Sequence, residues 1–174
     1  MEKIIGDRVI LRPYTIEDAD DMFNNFGSDE EITKYMLRKK YETVDDARKA
    51  INYYIKCYNS DSNFTEYAIE LKKTGDLIGS IGIEVNKRHN HGELGYLLSR
   101  KMQRKGLMTE AINLLCDYYF SKGLIRISAD VMTENIGSIR LLEKCGFNLE
   151  GISKNKYIDK NGKYVDVCIY AKIV

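Results

Sequence analysis

The chain has only two histidines, a single proline and no tryptophan, and its four cysteines include no Cys-x-x-Cys pair. His89 and His91 sit in a polar stretch, so neither a zinc site nor a Cys–His nucleophile is expected. Cys57, Cys116, Cys145 and Cys168 are expected as unpaired thiols, packed as small apolar groups in a reducing compartment. Charge of one sign is missing too: 27 Lys and Arg against 26 Asp and Glu leave a formal net charge of +1. No global field draws the protein to nucleic acid or to an anionic membrane, and any partner must be held by a local site. No run approaches the roughly 20 apolar residues that span a bilayer, and Met-Glu-Lys-Ile-Ile-Gly-Asp-Arg lacks the apolar stretch of a signal peptide. A cytoplasmic protein with no membrane and no nucleic-acid partner is the expectation.

What is present is a globular mixture, 44% hydrophobic and 30% charged, enough to offset the entropy of ordering the chain. With 174 residues and no linker, repeat or low-complexity tract, one domain over residues 1–174 is expected. Arg8 to Pro13 reads as a strand, and Thr15-Ile-Glu-Asp opens a helix that ends near Gly27. A second helix starts at Thr43 and runs to Tyr58, with Val44, Ala47, Ile51, Tyr54, Ile55 and Tyr58 on one face. Residues 29 to 42 give no clear element. Tyr67, Ile69 and Leu71, then Leu77, Ile81, Ile83 and Val85, alternate about a Lys73-Thr-Gly-Asp turn and predict a hairpin.

A strand from Glu93 to Leu98 then leads through Arg100-Lys-Met-Gln-Arg-Lys-Gly106 into a helix with Leu107, Ala111, Leu114, Leu115 and Tyr118 inward. Ile125, Ile127, Ala129 and Val131 predict a strand, and Asn135 caps a short helix that stops at Gly146. Phe147 to Ile158 and Lys163 to Val174 make a last hairpin around Asp159-Lys-Asn-Gly162. The order βααβββαβαββ predicts an α+β or mixed α/β sheet with helices on its faces.

The segment that carries chemistry is the strand, the loop Gln103-Arg-Lys-Gly-Leu-Met108 and the helix after it. Glycine lets the backbone approach a ligand, and free amides at a helix start point at an anion with the dipole behind them, a geometry suited to pyrophosphate. The loop lacks both the Gly-Lys-Ser/Thr of a Walker loop and the three-glycine dinucleotide fingerprint.

Together with Thr109-Glu-Ala111, Asn135 to Ser138, Glu143 to Phe147, Glu150-Gly151 and Asn161 to Asp166, this loop resembles the GNAT N-acetyltransferase superfamily. Its acetyl-CoA loop has the form Q/R-x-x-G-x-G/A, and the ordered set is most similar to the RimJ/RimL type that acetylates ribosomal-protein N-termini. The resemblance covers nearly the whole chain and implies a single GNAT fold, a mixed sheet splayed between the Glu93 and Ile125 strands with acetyl-CoA in the split and no metal. It implies that the amides from Arg104 through Lys105, Gly106, Leu107 and Met108 to Thr109 hold the pyrophosphate, with Gln103 opening the loop and the Arg104 and Lys105 side chains adding charge. Met108 stands where a small residue is usual, and its side chain is expected to narrow the space near the phosphates.

By the same similarity, Asn135 bonds the pantetheine arm or caps its helix, Ser138 gives a proton or hydrogen bond to the leaving thiolate, and an amide near Leu97 or Leu98 meets the oxyanion. The tyrosine that many GNAT enzymes carry four residues before the glycine of Gly-Phe is here Leu142. Glu93 is the candidate base for an acceptor amine. The implied acceptor is a peptide α-amino group, with a polyamine or other small amine as the alternative. A non-catalytic CoA-binding module is a reading of another class, and a homodimer is compatible with any of them.

Overall fold

The computed structural model describes residues 1–174. Eight strands form one sheet: β1 (Ile4–Ile5), β2 (Val9–Arg12), β3 (Phe64–Leu71), β4 (Leu77–Asn86), β5 (His91–Leu98), β6 (Arg126–Met132), β7 (Asn148–Ile158) and β8 (Tyr164–Ile173). Their spatial order is β1-β2-β3-β4-β5-β6-β8-β7. Of the seven contacts only β5 against β6 is parallel, which makes the sheet mixed. The element α1 (Ala19–Met22) lies between short 3-10 and π turns, and α2 (Val44–Tyr58), α3 (Leu107–Ser121) and α4 (Ile136–Lys144) complete the helices. None of them is long and apolar enough to cross a membrane.

Local rules explain most of these elements. Thr43 starts α2 with a reciprocal capping box to Asp46, and the apolar stripe turns Ala47, Ile51 and Cys57 inward. From Leu77 to Ile83 β4 is buried without interruption, as a central strand covered on both faces should be. One face packs with α3 in a core of 24 buried residues that includes Ile81, Leu94, Ile112, Leu115, Ile127 and Leu142. A smaller core of Tyr14, Met22, Phe26, Ile51, Ala68 and Leu77 among others seats α1 and α2 on the opposite face.

Two expectations need correction, and the structure settles one arrangement that the sequence left open. A two-residue strand, Ile4–Ile5, precedes the expected first one, pairing with Ile10 and Leu11 and too short to show alternation. Ile125 is left out of β6 and stays 53% exposed, because its amide donates to Asn90 at the turn leading into the sheet. The final hairpin forms as expected, and its second strand joins the sheet: β8 enters between β6 and β7, leaving β7 as the edge.

The feature that positions the site is the short pairing of β5 with β6. It covers His91, Gly92 and Glu93 against Arg126, Ile127 and Ser128, and then stops. The antiparallel partner β4 stays bonded to β5 as far as Leu98, and β8 stays bonded to β6 as far as Met132. Each strand is thus held by its outer neighbour while the two diverge, and the sheet opens into a V as expected.

Candidate active site

At one arm of the V, β5 ends at Leu98 and a short turn delivers the chain to α3. Arg104 and Gly106 take left-handed backbone angles, φ 62 and 75. Gly106 is the residue before the helix, and a side chain there would be strained whatever the space around it. The alternation turns successive amides to one side, and none of those from Arg104 to Thr109 donates to another group of the protein.

The opposite, carbonyl side of the loop is held by a residue from the far end of the chain. Arg8 donates from Nη1 to the Lys105 carbonyl at 2.8 Å and from Nη2 to that of Gly106 at 3.2 Å. Glu110 fixes Arg8 in turn, accepting its Nε at 2.8 Å and its amide at 2.7 Å.

The loop borders a cleft of about 620 Å³ lined by Leu97, Leu98, Gln103, Arg104, Gly106, Leu107, Met108, Thr109, Asn135 and Ser138. All but one of the residues singled out from the sequence for cofactor binding therefore meet here, with three refinements. Gln103 directs its own amide to Arg100 at 3.2 Å and its side chain to the Leu98 carbonyl at 3.2 Å, so it ties strand to loop. Lys105 lies outside the lining, and Arg140 and Lys144 of α4 supply charge instead, neither in an ion pair. Met108 is 6% exposed and packs in the main core while still bordering the cleft.

On the other side of the V lies a second cleft, of about 370 Å³, whose lining includes Glu66, Glu84, Glu93 and Asp130. Asp130 is engaged by Lys156 at 2.5 Å and by the Tyr157 hydroxyl at 2.7 Å. The three glutamates have no cationic partner within ion-pair distance. Glu93 is solvent-accessible yet ringed by protein, and its pKa is raised, first by desolvation and next by the Asp130 charge, against the pull of Lys156. Burial pushes Glu66 up to about 7, opposed by a hydrogen bond from Ser80 and by the charge of Arg38.

Tyr96, Asn135, Ser138 and Met36 line both clefts. The Asn135 side chain accepts from the Ser138 amide at 3.2 Å and caps α4. That cap places Ser138 Oγ 2.5 Å from the Tyr96 hydroxyl. Burial raises the Tyr96 pKa well above that of a free phenol, so the group is a protonated donor at neutral pH. Leu142 is fully buried in the main core, and the phenol at this junction comes from β5. Tyr96 carries no motif and was not singled out from the sequence; its place two residues before the end of the strand entering the loop was the only available signal. The segment from 29 to 42, unassigned from sequence, roofs the site with Ile32, Tyr35 and Met36.

A row of free amides with unpaired cations thus faces a group of unpaired carboxylates across a hydroxyl pair. The model of the acetyltransferase (GNAT) domain matches residues 8–148. The chain belongs to the GNAT acetyltransferase family. GNAT enzymes are acetyl-CoA-dependent acyltransferases, and that activity is this chain's. It is 35% identical over 167 residues to the uncharacterized N-acetyltransferase YoaA of Bacillus subtilis, covering 95% of this chain and 93% of that one. With the spermidine N(1)-acetyltransferase of Vibrio cholerae it shares 30% identity over 83% of this chain and 81% of the relative. The fold also matches a Salmonella typhimurium acetyltransferase that modifies the N-terminal serine of ribosomal protein L7/L12, at TM-score 0.89, 20% identity and 99% coverage of both chains. This RimL-like GNAT architecture is the one the motifs implied.

Proposed function

We propose that this enzyme acetylates a primary amine on a small cationic, polyamine-like acceptor. The observation that carries the reading is the opposite charge of the two clefts that meet at Tyr96 and Ser138. Free amides with Arg104, Arg140 and Lys144 suit a pyrophosphate, while Glu66, Glu84 and Glu93 suit an acceptor carrying more than one ammonium group. The relative named as a spermidine acetyltransferase supports the same class. A peptide α-amino group, the acceptor the motifs suggest first, is the second reading; its support is the shared ribosomal-protein acetyltransferase fold.

In this reading the acceptor nitrogen attacks the thioester carbonyl carbon, the carbon–sulfur bond breaks, and one proton passes from nitrogen to the protein while another reaches the departing sulfur. Glu93 takes the first through water, since an alkyl ammonium with a pKa above about 10 must lose a proton before it can attack. Ser138, hydrogen-bonded to Tyr96, supplies the second. A backbone amide at Leu97 or Leu98, where β5 has left β6, meets the oxyanion. Positioning the two reactants together contributes most of the remaining acceleration.

A thiol-release screen of polyamines, aminoglycosides and N-terminal peptides against an acetyl-CoA blank tests the proposal. Turnover with polyamines above the blank is expected. Turnover with peptides alone would establish the second reading, and binding without thiol release from any acceptor would mark a non-catalytic CoA-binding module. In Glu93→Gln, turnover should fall most at low pH, where neutral amine is scarce; a wild-type pH-rate profile would remove Glu93 from the role.

A further inference from the structure

Glu66 lies on β3, two strands from the β5 residues that border both clefts, yet its side chain reaches toward them. The register explains how. Glu66 pairs with Gly82 on β4, and Gly82 pairs with Gly95 on β5, so a glutamate and two glycines form one cross-strand row. A Cβ on Gly82 would collide with the Glu66 carboxylate, which shows that this carboxylate lies across β4 in the space the glycine leaves. A Cβ on Gly95 would meet nothing within 4 Å, so the row continues as an open trough to β5. Neighbouring strands are about 4.8 Å apart, which puts a carboxylate over β4 roughly one such spacing from the floor at Gly95.

The carboxyl group is held in place without a cation at ion-pair distance. Ser80 donates to its Oε1, and Tyr58 donates to the Glu66 backbone carbonyl at 2.5 Å. Arg38 acts on it only through space; its guanidinium stacks over the Tyr41 ring and donates to the Lys39 carbonyl. Burial accordingly raises the carboxyl pKa, as happens to a carboxylate that lacks a counter-charge.

We propose that Glu66, laid across Gly82, binds a second ammonium group of the acceptor, with the intervening methylenes in the trough over Gly82 and Gly95. The inference rests on the acetyltransferase reading above and adds a selection rule: a diamine or polyamine is preferred over a monoamine of similar length. Glu93, on β5 itself, stays with the reacting nitrogen, and Glu66 holds the far one.

The test compares spermidine with n-butylamine as acceptors for wild type, Glu66→Gln and Gly82→Ala. Loss of one charge-assisted contact in a shielded cleft should raise KM for spermidine by about tenfold to a hundredfold. The effect on kcat should be several times smaller, and the KM for n-butylamine should move far less than that for spermidine. Gly82→Ala, which leaves the glutamate in the chain but takes its resting place, should shift spermidine KM in the same direction. Acetyl-CoA affinity by calorimetry reports that both variants are folded. Equal changes for the two amines, or none for either, would overturn the role of Glu66 while leaving the enzyme reading standing. Thiol release from neither amine in wild type would overturn the polyamine-acceptor reading and this inference with it, while turnover with peptides would keep the enzyme reading standing.

Discussion

The Tyr96 and Ser138 hydroxyls form one unit, because at 2.5 Å a proton given up by one is replaced from the other. Ser138→Ala should therefore lower turnover by roughly ten- to a thousandfold, somewhat below to within the range of a general acid, with little change in acetyl-CoA affinity. Tyr96→Phe should fall in the same range, and the double variant should be no worse than the poorer single one. Fully additive losses in single-turnover rates would show two independent residues. A second prediction follows from the raised pKa of Glu66. Between the ordinary carboxylate value near 4.5 and about 7, the folded protein holds a proton that the unfolded chain has released, so stability declines as pH rises through that window. Glu66→Gln cannot ionise and should be more stable than wild type at pH 8 by about 1–3 kcal/mol, with a flatter dependence between pH 4.5 and 7. Denaturant unfolding at a series of pH values checks this, and a variant that is less stable at pH 8 would contradict it. Ser138 was legible through the Asn-x-x-Ser motif. Tyr96 and Glu66 were not, since Tyr96 meets its partner on α4 and Glu66 meets its partner across the β3–β4 register, and no local pattern encodes either.

At the scale of elements, the strand–loop–helix unit was legible because one glycine and a change from alternating to helical periodicity mark it. Its bracing was not. Arg8 lies 97 residues before the first carbonyl it holds, and in sequence it is only the polar start of a strand. Removing it should free the Lys105 and Gly106 carbonyls to turn and cost the loop its preset amide array. Arg8→Ala should weaken acetyl-CoA binding by about tenfold, the worth of one or two charge-assisted hydrogen bonds in an exposed setting. Arg8→Lys should recover only part, because a point charge cannot reproduce the forked contacts. Gly106→Val should abolish binding on a folded protein, since a β-branched residue resists the left-handed angle that the loop requires. Calorimetry that finds unchanged affinity in either Arg8→Ala or Gly106→Val would move the pyrophosphate site elsewhere.

For the whole molecule, a net charge of +1 conceals a dipolar site, because the summed charge says nothing about which side of the V each ion occupies. The mixed sheet followed from the order of elements, and the V from the resemblance to the family. The position of β8 between β6 and β7, and the roof formed by residues 29 to 42, did not: hairpin turns fix local pairing but not which strand of the hairpin joins the sheet. The central claim is that the chemistry takes place where the two clefts meet. A crystal structure with acetyl-CoA tests it most directly. The account predicts the pyrophosphate on the amides from Arg104 to Thr109, the thioester sulfur within hydrogen-bond reach of the Tyr96–Ser138 pair, and the acetyl group directed toward Glu93. A sulfur turned away from that pair, or a cofactor seated outside the cleft between β5 and α4, would contradict it.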